Sequence, residues 1–188
     1  MIVIFDTETT GKNPRTARLV QLAGLLISGP DDPVATFNEI VTPETFEIPE
    51  EASAIHGITT EHAWNVGRPL DEVLEEFTTF LEPAKRAVGH NLAYDNTVLM
   101  CEHHRIARDP SHLLGLAPFC TMIALTDRMK LAHKQPWRAQ SGGFKWPTLA
   151  EAHKFCGLGE HTDAHNALGD VNATRRIYLH GVAQQWWR

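Results

Sequence analysis

The chain has 188 residues, 43% of them hydrophobic, which suffices for the core of a single domain spanning 1–188. No apolar run approaches the roughly 18–20 residues that cross a bilayer, and no basic region followed by an apolar stretch opens the chain, so a cytoplasmic protein without membrane contact is expected. The formal net charge of −6 excludes a protein that holds a polyanion by bulk charge; a phosphate-bearing partner would need local help, such as divalent cations on clustered carboxylates.

Three β-type runs come first: Ile2 to Phe5, Leu19 to Ile27 and Ala35 to Val41, separated by the turn-rich "TTGKNPRT" and "SGPDDP". Connections this short favour antiparallel neighbours. "PEEASAIHGITTEHAW" reads as short helical turns. From Pro69 the spacing becomes helical, with Leu70, Val73, Leu74, Phe77, Phe80 and Leu81 on one stripe and Pro83 closing it. "AVGH" (Ala87 to His90) reads as a short buried strand leading into a helix from about Ala93 to Ile106, and a strand near Phe119 leads into a helix through Met129.

In that first helix, "CEHHR" sets Cys101 beside two imidazoles and could suggest zinc. The preferred reading turns Cys101 toward the core and His103 and His104 toward solvent. Cys101, Cys120 and Cys156, odd in number and among apolar neighbours, suit reduced thiols. Leu131 to Pro147 reads as a long irregular loop. Thr148 and Glu151 then form a capping box for a helix that Gly157 ends, and a last helix runs from near His165 toward Arg188, with Thr162 and Asp163 as candidate caps. Three strands followed by helices alternating with two more strands suggest an α/β fold with one mixed sheet.

The first strand ends on Asp6 and Glu8. Residues two apart on a strand share a face, so these carboxylates project side by side and repel, a conflict that a divalent cation removes. Two further acids fall on apolar stripes: Asp95 sits three and four residues before Val98 and Leu99, and Asp170 shares a face with Ala167, Ala173, Thr174 and Ile177. Each needs a partner if buried. A shared metal site explains all four better than two unrelated core salt bridges. His165 is about 140° around an ideal helix from Asp170, so it reaches the same site only from the loop entering that helix. There it would be suited to take a proton from water.

"FDTETTG", "GHNLAYD" and "HNALGD", in that order and with "IHGIT" (Ile55 to Thr59) between the first two, resemble the three motifs of the DEDDh (DnaQ-like) 3′-to-5′ exonucleases, which include the proofreading subunits of bacterial replicative polymerases. The resemblance runs from Ile2 to about Tyr178. It implies a ribonuclease-H-like fold with a five-stranded mixed sheet flanked by helices. It also implies Asp6, Glu8, Asp95 and Asp170 as acids for two divalent cations, Mg²⁺ or Mn²⁺, and His165 as general base, so that all five are expected to be catalytic. Thr9 and Thr10 would pack against the last nucleotide and bond its 3′-OH. Gln21 departs from the Glu that many relatives carry, with no expected consequence for catalysis.

The implied reaction is two-metal hydrolysis at a free 3′ end, releasing nucleoside 5′-monophosphates. Lys134, Arg138 and Lys145, with Trp137 and Trp146 among them, give the 131–147 loop the basic and aromatic character that single strands need, although a solvated loop with its Trp rings folded back is an equal reading. Single-stranded DNA is favoured over RNA on the spelling "DTETTG". An exoribonuclease and a catalytically silent nucleic-acid- or polymerase-binding module are the alternatives. Trp186 and Trp187 could dock on the body, contact a second copy in a homodimer or bind a polymerase.

Overall fold

The structure, a computed structural model, describes residues 1–30, 33–133, 143–162 and 164–187. Among them, five strands form one mixed sheet in the order β3-β2-β1-β4-β5. The central strand β1 (Ile2–Thr9) pairs antiparallel with β2 (Leu19–Ile27) and parallel with β4 (Arg86–Gly89); β3 (Ala35–Ile40) lies antiparallel outside β2, and β5 (Ala117–Cys120) parallel outside β4. β2 is buried along its whole length, as a strand covered on both faces must be. β1 continues past the apolar run to Thr9 because β2 keeps pairing with it, setting Asp6 opposite Ala23 and Glu8 opposite Gln21. β4 pairs only as far as Ile4, so the two acids extend beyond its end.

Helices cover both faces. Those of the first half are α1 (Glu50–His56), α2 (Thr60–Val66), α3 (Leu70–Leu81) and α4 (Leu92–Arg105). α5 (Ser111–Leu114), α6 (Thr121–Met129), α7 (Leu149–Phe155) and α8 (Ala167–Ala183) follow. The alternation of β1 decides what meets what. Val3 and Phe5 pack with Leu74 and Phe77 of α3 and Val98 and Leu99 of α4, whereas Ile4 packs with Ala167, Val171 and Tyr178 of α8. Even-numbered Asp6 and Glu8 therefore lie on the α8 side, and odd-numbered Thr7 on the α4 side.

The capping box of Thr148 and Glu151 is present at α7. The start of the last helix differs from expectation: α8 begins at Ala167, with the Asn166 side chain accepting from the Gly169 N–H. Thr162 is not the cap, because His165 holds a left-handed φ of 65° that breaks any helix starting before it, and Asp163 lies outside the described residues. α8 stops at Ala183, short of the expected run toward Arg188, which is also outside the described residues. His103 is buried at 4% exposure, not turned to solvent; only His104 is exposed.

The two terminal tryptophans dock on the body. Trp187 Nε1 donates to the Tyr178 carbonyl at 3.1 Å, and its ring packs on Phe119 and Tyr178. Trp186 lies under the Arg128 guanidinium and against Phe155 and His180. Gly181 makes this seat possible, since a Cβ there would overlap the Trp187 ring.

Candidate active site

Asp6, Glu8 and Asp170 present carboxylate oxygens within 4.8 Å of one another. The first two come from the overhang of β1 and the third from the first turn of α8, which Gln21 ties to the sheet: its Oε1 accepts from the Ala167 N–H at 3.3 Å and its amide donates to Asn38. Asp95 approaches from the other side of β1. It is 3% exposed, and its Oδ1 accepts both the Thr7 N–H at 3.1 Å and the Thr7 hydroxyl at 2.7 Å.

The electrostatics follow from four acids gathered where solvation is poor. Burial, then Asp95, Asp170 and Glu8, push the Asp6 carboxyl well above its ordinary range. Glu8 is pushed up to about 8 by burial and by Asp170 and Asp95. Asp95 rises to about 7, chiefly by burial, with the Thr7 hydrogen bonds opposing the rise and Asp170 adding to it. An all-carboxylate cluster in this condition fits hard divalent cations, which take oxygen ligands and favour the ionised forms. Neither Cys101 nor His104 joins such a cluster among the described residues.

His165 stands on the loop entering α8, as its spacing requires, but is exposed and faces His56 electrostatically; no hydrogen bond joins it to the four acids among the described residues. A different histidine touches them. His161 Nε2 lies 2.5 Å from Asp170 Oδ1, with its side chain only 6% exposed. Sequence reasoning missed it because it sits in coil, where periodicity carries no information about facing.

Beside Glu8 a cleft of about 620 Å³ is lined by Thr7, Thr9, Thr10, His56, Asn91 and Tyr94 among others. Both threonine hydroxyls are engaged there. Thr9 Oγ1 lies 2.6 Å from the Tyr94 hydroxyl, which also donates to the Gly11 carbonyl, and Thr10 Oγ1 accepts from the Arg18 N–H. Tyr94 thus braces the turn after β1, a role the motif alone did not disclose. Lys145 Nζ is held 2.5 Å from Glu151 at the α7 cap, so its charge is paired within the protein, whereas Trp146 is 64% exposed. Lys134, Trp137 and Arg138 lie outside the described residues. A slightly larger depression, about 700 Å³ around Arg18, Phe46 and Glu102, contains none of the four acids.

Five strands in one mixed sheet with carboxylates converging at the overhang of the central strand can hold divalent cations, and known proteins narrow the class. The RNase T family model, described as an exonuclease, matches residues 3–178, and the chain belongs to this family of nucleic-acid hydrolases. It is 36% identical over 183 residues to a PolC-type DNA polymerase III of Thermotoga maritima, covering 96% of this chain and 12% of that one. It is 26% identical over 206 residues to ribonuclease T of Shewanella denitrificans, covering 98% and 80%. The fold matches E. coli exonuclease I in complex with a dT13 oligonucleotide at a TM-score of 0.79 and 21% identity, over 98% of this chain and 41% of that one. The chain thus spans about an eighth of the polymerase but most of the ribonuclease.

Proposed function

We propose that the protein is a metal-dependent 3′-to-5′ exonuclease that releases nucleoside 5′-monophosphates from single-stranded DNA ends. The observation that carries this reading is the convergence of Asp6, Glu8 and Asp170, with Asp95 bonded to Thr7, beside a cleft that Thr7 and Glu8 line. One divalent cation, Mg²⁺ or Mn²⁺, would be held by Asp6, Glu8 and Asp170 and a second by Asp6 with Asp95; bound there, they supply charge neutralisation at the phosphate and lower the pKa of water. His165 takes the proton from the attacking water, which requires its exposed loop to turn inward. Thr9 and Thr10, braced by Tyr94 and Arg18, line the place of the terminal nucleotide.

The DNA polymerase relative and the dT13 ligand of exonuclease I support DNA; the ribonuclease T relative, spanned over most of its length, supports an exoribonuclease as the second reading. The PolC-type relative supports association with a polymerase. A time course on 5′-labelled single-stranded DNA and RNA of one sequence, with Mg²⁺, Mn²⁺ or chelator, tests the proposal. The expected result is a metal-dependent ladder shortening from the 3′ end, faster on DNA. Faster loss of RNA would transfer the assignment to the second reading, and no degradation of either would leave only a binding module. His165→Ala should flatten the rising limb of the pH–rate profile; an unchanged profile would remove His165 as base.

A further inference from the structure

The segment between α7 and α8 is built to present one side chain. His153, 2% exposed on α7, directs its Nδ1 to the Gly159 carbonyl at 3.0 Å. Gly157 and Gly159, with left-handed φ of 70° and 86°, fold the chain back on itself, which β-carbon-bearing residues do at a cost. The fold-back brings the His161 ring to 5.8 Å from the His153 ring and delivers Nε2 to Asp170. A carboxylate can only accept, so the tautomer with hydrogen on Nε2 fits this contact.

We propose that His161 is the positioning residue of Asp170: by donating to Oδ1 from an anchored, buried ring, it orients the carboxylate so that the group faces Asp6 and Glu8 as a metal ligand. The site then uses two histidines for separate tasks, His161 to hold an acid and His165 to move a proton. Carboxylates that bind metals are commonly oriented by such outer partners, whose loss costs about 10–100-fold in metal affinity. Asp170 occupies the first turn of α8 and its carboxylate makes no other hydrogen bond among the described residues, so this bond is the directional constraint on its rotamer.

The inference rests on reading Asp170 as a metal ligand, and calorimetric titration with Mn²⁺ separates the two claims. Asp170→Asn should remove most of the Mn²⁺ binding; if binding is unchanged, the ligand assignment fails and the proposal with it. His161→Leu, which keeps bulk and removes the donor, should weaken Mn²⁺ binding about 10–100-fold and raise the Mn²⁺ concentration needed for half-maximal rate. His161→Gln, whose amide reaches as far as Nε2, should restore most of both. Unchanged or tighter Mn²⁺ binding by the Leu variant would overturn the positioning role and make His161 a bystander or competitor. Lost turnover at saturating Mn²⁺ with wild-type binding would overturn it in favour of direct chemistry. Should the Leu variant not fold, as read by far-ultraviolet circular dichroism, the Gln variant decides: wild-type Mn²⁺ affinity is expected, and a loss of tenfold or more overturns the proposal.

Discussion

Asp95 and Glu102 stand seven residues apart on α4, two turns along one face, and both are buried, at 3% and 0% exposure. Their surroundings are opposite. Glu102 Oε1 accepts from Arg18 Nε at 3.0 Å and the Leu19 N–H at 2.9 Å, and is ion-paired with Arg105 Nη1 at 2.9 Å. Asp95 receives only neutral donors, from Thr7 and its own backbone N–H, and adds its repulsion to Asp6 and Glu8. A buried acid supplied with cations by its own fold ties strands and helix together. A group of acids left to repel one another points to a charge arriving from outside.

The sharpest way to break this contrast is Asp6→Ala. Turnover should fall about 10³-fold or more, as expected when several kcal/mol of transition-state stabilisation go, while thermal unfolding of the metal-free protein moves upward because repulsion is relieved. A well-folded variant that remains active would end the metal assignment. Glu102→Ala should act the other way round: removing one partner of a buried ion pair costs about 3–5 kcal/mol, read by denaturant unfolding, with Mn²⁺ affinity unchanged. Loss of Mn²⁺ binding in a folded Glu102 variant would show that the two acids are not separable.

pH offers a smaller effect with a definite sign. Glu8 and Asp95, raised to about 8 and 7, hold protons in the folded state that the unfolded chain gives up, so their ionisation costs stability as pH rises toward 8. His90 works in the opposite sense below pH 6.5: burial lowers it to about 4 against the opposing hydrogen bond to the Pro147 carbonyl, and stability is lost as pH falls through that range. Between about pH 6.5 and 8 the acids act alone. The metal-free melting temperature should drop there by about 2–4 °C per kcal/mol of repulsion, and excess Mg²⁺ should abolish the slope. A flat metal-free profile would mean the cluster carries no strain. Smallest of the set, Arg105→Met should cost about 1 kcal/mol, because Arg18 and Leu19 still hold Glu102; a loss as large as that of Glu102→Ala would make Arg105 the dominant partner.

The strands and most helices were legible in the sequence because their apolar residues keep one period from end to end, as in Leu70–Leu81. Asp6 and Glu8 were legible because two carboxylates share one face at the end of an apolar strand, and Asp95 and Asp170 because charge on an apolar stripe is a local anomaly. Glu102 lies on the same stripe, yet it went unread among the more conspicuous Cys101, His103 and His104. Its partner Arg18 arrives from another part of the chain, which no local pattern records. His161 and the Asn166 cap were missed for a related reason: backbone at positive φ, at Gly159 and His165, sets their directions, and spacing rules hold only for regular helix and strand.

The site draws on chain positions 6, 8, 95 and 170, with the last acid supplied by the final described helix. A chain growing from its N-terminus therefore has no complete four-acid cluster until α8 has been made and has packed on the sheet.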